Sequence, residues 1–343
     1  MAKTPEVPIS VWKELYAAAG KFYALKPWEY FDDSTLIGVR NPATGETGYG
    51  CILGALGEVL AFCFYRGAEG LDFHLKAQAG KIDVESKDFV LVQNCLMTEF
   101  TYKEELEIED LNVIKKIAFK FQERAWPVFR SYLPGFAPWQ INEAEARFLT
   151  LALNCACDAI ADNVFGDLSL ESHPGKCLVY NAGPSGAAER NWEPLPKYKP
   201  EPLKTYIPDI VKTVKIRAAN FPDKGAWEAD VFSSKAVVSD RDRPYIPNMV
   251  MAAHQDSGFV FHTELIAPEK EAADALGETI LDAILKHQIS TAKIYFSNKR
   301  LMAALAPLGE TLGIEFEHKK CLQSISSARR SLEAMTRNRG FVS

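Results

Sequence analysis

The chain has 343 residues, of which 47% are hydrophobic, 39 are lysine or arginine and 45 are aspartate or glutamate. The apolar fraction is ordinary for a soluble, folded protein, and a chain of this length can bury one large core or two ordinary ones; we favour two. The net charge of -6 argues against binding nucleic acid by overall charge, although it leaves room for a local basic patch.

The first half of the chain is predicted to be an α+β domain. Ser10 caps a first helix whose apolar residues recur at helical spacing. The elements predicted after it are strands over 36–40, 49–53 and 59–65, a helix over 68–78, a strand over 89–93, an exposed acidic stretch over 97–110 and helices over 111–123 and 143–162. Because three consecutive strands are joined by short turns, we predict an antiparallel meander in an N-terminal α+β domain over 1–183.

Prolines are frequent between the two halves of the chain. They alternate with lysine and glutamate, which is the composition of an extended linker, at Pro194, Pro196, Pro200 and Pro202. We therefore predict a proline-rich linker and a connecting helix over 184–221.

The C-terminal domain, placed over 222–343, is predicted to follow the order β-β-β-α-β-α-β-α. The strands are placed at 226–232, 248–254, 259–266, 291–296 and 314–317, and the helices at 268–287, after Ser297 or Asn298, and over the last apolar stripe that begins at Leu322. Period-two alternation in the first strand puts Glu228 and Asp230 on one face of the sheet and Trp227 on the other.

Three features of about the last 120 residues belong together: the order of the elements, the hairpin before a helix, and the stretch Trp227-Glu228-Ala229-Asp230 in the first strand. In these features the domain resembles the ribonuclease-H-like fold, which includes retroviral-type integrase cores. The resemblance implies that a catalytic member would hold divalent metal ions with acids from the first strand, the first helix and the end of the fourth strand, and often from the last helix.

Carried over to this sequence, the resemblance makes Asp230 the first-strand acid, with Glu228 on the same face, and Glu269 or Glu271 the helix acid. The fourth strand departs from the family pattern, because Tyr295-Phe296-Ser297-Asn298 ends without a carboxylate. A hard cation such as Mg²⁺ needs anionic oxygens, so we expect a degenerate site. We expect a Mg²⁺ or Mn²⁺ cofactor only if the domain is a nuclease, and the sequence indicates no other cofactor.

Short motifs extend over nearly the full length of the chain. They are Trp12-x-x-Leu15-Tyr16, Pro27-Trp28-Glu29, Gly48-Tyr49, Gly67-x-x-Gly70, Trp227-x-x-Asp230 and Leu312-Gly313-Ile314. In these motifs the chain is similar to an uncharacterised bacterial family built from two adjacent domains of unknown function. This resemblance implies an architecture and no activity.

We expect a cytoplasmic protein without membrane contact. The first residues lack the apolar run of a signal peptide, and the longest apolar stretch, Phe148 to Ala161, is short and contains Asn154 and Asp158. The seven cysteines are odd in number and scattered through predicted helices and strands, which is typical of buried thiols in a reducing compartment.

Basic residues are concentrated near the C-terminus, at Lys319, Lys320, Arg329, Arg330 and Arg337. Such a cluster can bind the phosphates of a nucleic acid, but cations also occur on solvated helix faces close to a helix C-terminus.

Three hypotheses remain open. The one we favour is a non-catalytic binding protein that contacts a protein or a nucleic acid, the latter through the basic C-terminal helix. The others are a metal-dependent nuclease or strand-transfer enzyme centred on Asp230, and a pair of accessory domains that packs against itself or a copy of itself. The missing carboxylate near Ser297 favours the first hypothesis over the nuclease.

Overall fold

A computed structural model describes residues 6–57, 59–82, 89–121, 123–166, 168–170, 173–182 and 188–338. The chain forms two compact units, Met1–Pro200 with Ser239–Pro244 and Glu201–Val238 with Tyr245–Ser343. Both are mixed α+β structures built on a mixed sheet. Within the described ranges, no helix has the length and apolar character needed to cross a membrane.

The first unit is built on a seven-stranded sheet. Its elements are α1 (Ile9–Ala24), β1 (Ile37–Arg40), β2 (Thr47–Leu53), β3 (Leu60–Arg66), α2 (Gly67–Gln78), β4 (Cys95–Thr101), α3 (Ile108–Ile117), β5 (Trp126–Tyr132), α4 (Glu143–Phe165), β6 (Lys176–Ala182) and β7 (Ala188–Pro194). The strand order is β5-β4-β3-β2-β1-β6-β7. Neighbouring strands are antiparallel except β1 and β6, which are parallel.

The main core of the first unit lies between this sheet and the helices α1 and α4. Phe62 and Phe64 of β3 are fully buried in it. On the neighbouring strand β2, a Cβ at Gly50 would lie 2.2 Å from the ring of Phe62, and one at Gly48 would lie 2.2 Å from the ring of Phe64. These two glycines are therefore required by the close approach of the aromatic rings.

Several elements of the first unit differ from the sequence-based expectation. The stretch over 97–110, predicted to be acidic and exposed, overlaps β4, and its residues Thr98, Phe100 and Thr101 are buried. The predicted strand over 89–93 is a short 3₁₀ turn, Phe89–Leu91. β7 lies within the predicted linker, where it pairs with β6 along its whole length.

The second unit is built on a five-stranded sheet. Its elements are α5 (Ile210–Ala219), β8 (Trp227–Ser233), β9 (Asn248–His254), β10 (Val260–Ile266), α6 (Ala272–His287), β11 (Lys293–Phe296), α7 (Lys299–Ala304), α8 (Ala306–Leu312), β12 (Glu315–His318) and α9 (Gln323–Asn338). The strand order is β10-β9-β8-β11-β12. β8, β9 and β10 form an antiparallel meander, and β8, β11 and β12 are parallel to one another.

Helices cover both faces of this second sheet. Trp227 and Ala229 of β8 are fully buried in a core that includes residues of α5, α6, α7 and α8. Phe232, on the opposite face, packs in a smaller cluster with Ile325 of α9. The face predicted to carry Glu228 and Asp230 is therefore the face covered by α9.

Candidate functional site

Asp230 lies in the middle of β8, beside the point where β11 ends. The two strands are parallel, with Ile294 opposite Trp227, so Ser297, the first residue after β11, lies level with Asp230. Ser297 Oγ donates a 2.5 Å hydrogen bond to Asp230 Oδ2. Asp230 Oδ1 accepts the backbone N–H of Val231 at 2.9 Å. Both carboxylate oxygens thus have a partner within the protein.

The surroundings of Asp230 favour its protonated form more than water does. Burial raises the pKa of Asp230, while the hydrogen bonds from Ser297 and Val231 and the positive charge of Arg329 act in the opposite direction. The net result is a pKa above the usual value for aspartate. A metal-binding carboxylate needs the reverse, because the ionised form is the ligand.

Glu228 is fully buried and binds the N-terminus of α9. Its carboxylate accepts the backbone N–H groups of Gln323 at 3.1 Å, Ser324 at 2.9 Å and Ile325 at 3.2 Å. Lys319 Nζ lies 4.0 Å from Glu228 Oε1. The first N–H groups of a helix have no partner within the helix and carry a partial positive charge, so Glu228 acts as a cap supplied from β8.

Glu269 and Glu271 are exposed residues just before α6. α6 packs on the face of the sheet that carries Trp227 and Ala229, whereas Asp230 lies on the α9 face. The metal-ligand candidates are thus distributed over two faces of the sheet. In the part of the chain that the structure describes, no three His, Cys, Asp or Glu side chains are grouped so as to hold a metal ion.

The groups around Asp230 also do not fit a divalent cation. Its immediate partners are the hydroxyl of Ser297 and a backbone N–H, and the nearby charge of Arg329 is positive. Mg²⁺ and Mn²⁺ prefer several anionic oxygens. A single carboxylate in these surroundings is not such a donor set.

Beside α9 lies a depression of about 690 Å³, which we call the α9 depression. It is lined by Lys235, Cys321, Gln323, Ser326, Ser327, Arg329 and Arg330. These side chains supply three cations and two hydroxyl groups, and no carboxylate is among the described residues that line it. The guanidinium of Arg329 stacks 5.3 Å from the ring centroid of Phe232, and Arg330 Nη2 donates to Ser327 Oγ at 3.3 Å. Such a surface can accept an anion with several oxygen acceptors.

The five basic residues predicted to contact nucleic acid do not all lie on one surface. Arg329 and Arg330 line the α9 depression, while Lys319 faces Glu228 and lies 5.0 Å from the ring centroid of Tyr295. Lys320 is exposed and is not among the lining residues. Arg337 belongs to α9, but its side chain lies outside the described part of the structure.

Lys235 was missed by the sequence-based reasoning. It follows β8 in a turn where its own φ is +60°, far from α9 along the chain. Ser326 and Ser327 were also missed, although their position next to Arg329 in the sequence was a signal. A serine on the same helix face as an arginine adds a hydrogen-bond donor to an anion site.

Comparison with known families assigns both halves of the chain to domains without a known role. Residues 12–179 match the family described as Domain of unknown function (DUF7309), and residues 214–333 match Domain of unknown function (DUF6930). The chain carries two adjacent domains of unknown function. Searches among curated proteins and among solved structures gave no match. These comparisons support no catalytic activity.

Proposed function

We propose that the second unit is a ribonuclease-H-like module that binds the phosphate groups of a nucleic acid through the α9 depression and does not cleave it. The element order β-β-β-α-β-α-β-α supports the fold assignment, with the second helix of that order divided into α7 and α8. The first strand of the unit, β8, lies at the centre of the sheet and next to the fourth, β11, which brings Asp230 beside Ser297.

The absence of cleavage is supported by the partners of the two acids on β8. A two-metal mechanism needs carboxylates that share metal ions close to the reacting phosphate. Here Asp230 accepts a hydrogen bond from Ser297, and the carboxylate of Glu228 accepts backbone N–H groups at the N-terminus of α9. Both carboxylates thus already have partners within the protein, and Glu228 is fully buried.

The observation that carries the binding proposal is the grouping of Lys235, Arg329 and Arg330 with Ser326 and Ser327 around one depression. Arginine and lysine form charge-assisted hydrogen bonds with phosphate oxygens, and serine hydroxyls add neutral ones. The net charge of -6 confines any phosphate binding to a local surface of this kind. The proposed nucleic-acid contact is therefore limited to a few phosphates.

Fluorescence anisotropy with short labelled single- and double-stranded DNA and RNA tests this proposal, with and without Mn²⁺ and followed by gel analysis of every sample. We expect binding that weakens as salt is added, with intact nucleic acid throughout. Cleavage that requires both Mn²⁺ and Asp230 would replace the proposal with the nuclease alternative. Absence of binding even at low salt would reject phosphate recognition and leave a protein partner as the remaining role.

We also propose that the protein acts in a bacterial cytoplasm. All seven cysteines are free thiols, and all but Cys321 are buried, which suits a reducing compartment. The bacterial origin rests on the resemblance of the sequence motifs alone.

A further inference from the structure

The first unit contains a cavity of about 750 Å³, which we call the α1–α3 cavity. It lies between the N-terminal part of α1, the helix α3, the strand β5 and the start of α4. This volume is within the range of sites that bind small organic molecules. All its lining residues belong to the first unit, so it is separate from the site proposed above.

Three aromatic rings form one wall of this cavity. Tyr16 and Phe129 are buried and pack edge to face with centroids 5.0 Å apart, and Trp12 lies about 6 Å from both, at 6.0 Å from Tyr16 and 6.1 Å from Phe129. Trp12 is only half-buried. Aromatic faces attract organic cations, and tryptophan attracts them most strongly.

The charged groups of the cavity also favour a cation. Four carboxylates line it, at Glu6, Glu109, Asp110 and Glu143, against the single ammonium of Lys116. Arg130 neutralises Asp110 and Arg147 neutralises Glu143, because each forms an ion pair at 2.7 Å. The cavity and the partners of its acids keep a net negative charge, because Arg130 is shared between Asp110 and Glu107.

Gln140 supplies an observation independent of charge. Its side chain lines the cavity, only 9% of the residue is exposed, and its Nε2 donates to Glu107 Oε2 at 3.2 Å. Its Oε1 is buried and has no hydrogen-bond partner among the described residues. A buried acceptor without a partner is energetically unfavourable, so a ligand that donates an N–H to Gln140 would remove that cost.

We infer that the α1–α3 cavity binds a small organic ammonium ion that has an apolar body and at least one N–H group. The apolar body packs on Trp12, Tyr16 and Phe129, where the ring faces also attract the positive charge. The ammonium N–H donates to Gln140 Oε1, and Glu109 adds an attractive charge at the rim. No covalent step is involved.

Isothermal titration calorimetry with the full chain tests this inference, with 2-phenylethylammonium as the probe and neutral 2-phenylethanol as its matched analogue. We expect one ammonium ion to bind per chain and the alcohol to bind at least tenfold more weakly. Gln140→Met keeps the length of the side chain but removes the acceptor, and should weaken ammonium binding about tenfold, the loss of one hydrogen bond to a charged group. Glu109→Gln should weaken it about twofold, because this exposed charge is screened by solvent.

Glu104→Gln is the control, because Glu104 is an exposed acid of the same unit that does not line the cavity. Thermal unfolding of each variant shows whether the fold is retained. If Gln140→Met does not fold, the inference is still tested by comparing the two ligands and by the effect of Glu109→Gln. Equal affinity for the amine and the alcohol overturns the inference, as does failure of the amine to bind. An affinity that neither Gln140→Met nor Glu109→Gln changes places the ligand elsewhere and also overturns it.

Discussion

Ser297 Oγ, directly after β11, donates a 2.5 Å hydrogen bond to Asp230 Oδ2 on the neighbouring parallel strand β8. If the unit has the ribonuclease-H-like fold that we propose, a nuclease of that fold would hold a second carboxylate at the end of the fourth strand, where this chain has Ser297 and Asn298. A serine hydroxyl instead satisfies Asp230 by donating to it. Asp230 therefore has a hydrogen-bond partner within the protein.

Asp230→Asn should raise the melting temperature at pH 7, and the gain should disappear in acid. The folded-state pKa of Asp230 lies above its ordinary value near 4, so ionisation of this carboxyl lowers the stability of the fold. Below the ordinary pKa the aspartate is protonated in both the folded and the unfolded chain, and it then behaves like the neutral asparagine. The test is the difference in melting temperature between variant and wild type from pH 3 to pH 8. A difference that does not change with pH, or a loss of stability that grows towards pH 8, contradicts the raised pKa.

Glu228→Gln should destabilise the second unit by about 2–3 kcal/mol. The substitution removes the negative charge that accepts three N–H groups at the positive end of α9, and it places a buried NH₂ group against donors. Urea denaturation monitored by circular dichroism measures the change. Glu310→Gln is the control, since Glu310 is exposed on α8, and should change stability by less than about 0.5 kcal/mol. Equal effects of the two substitutions would show that Glu228 does not cap α9.

Lys235→Ala should weaken nucleic-acid binding more than Lys320→Ala does. Lys235 lines the α9 depression, whereas Lys320 belongs to the basic cluster of the sequence but not to the lining. Loss of one phosphate contact is expected to reduce the slope of log affinity against log salt by about one. Salt titrations by anisotropy compare the two variants. A larger effect at Lys320 would move the contact surface away from the depression.

Arg130→Lys should destabilise the first unit by about 2 kcal/mol. Arg130 Nη1 and Nη2 donate to the two carboxylate oxygens of Asp110 at 2.8 and 2.7 Å, and both side chains are largely buried. Lysine cannot form this paired contact, because its ammonium is a single point of charge.

The matched control is Arg147→Lys, in which the affected ion pair with Glu143 is exposed and contributes at most about 0.5 kcal/mol. Denaturation midpoints of the two variants measure the difference. Similar midpoints would mean that the Arg130 pair contributes no more than a surface ion pair.

Local patterns in the sequence predicted much of the second unit. Alternation in β8 separated Trp227 from Glu228 and Asp230, and the residues directly after β11, Ser297 and Asn298, could be seen to lack a carboxylate. Both predictions depend on neighbours along one strand. The role of Glu228 could not be predicted in this way, because its partners on α9 are 95 or more residues away. The same holds for Lys235 and the α9 depression.

Two of the strands that were not predicted in the first unit, β5 and β7, have a related explanation. β5 and β7 each contain a proline, Pro127 and Pro194, and Pro194 was assigned to the predicted linker. These strands are the two edges of the sheet, the position in which a strand tolerates proline. Only the pairing of each strand with its inner neighbour reveals that it belongs to the sheet.

Arg329→Glu combined with Arg330→Glu tests the central claim most directly, through the salt dependence of nucleic-acid affinity measured by anisotropy. We expect wild-type affinity to fall steeply with salt, and the double variant to bind at least tenfold more weakly with a slope reduced by about two. Lys320→Glu is the control for a charge reversal outside the depression, and melting curves establish that all variants are folded. Unchanged affinity and slope in a folded double variant would contradict phosphate binding at the α9 depression.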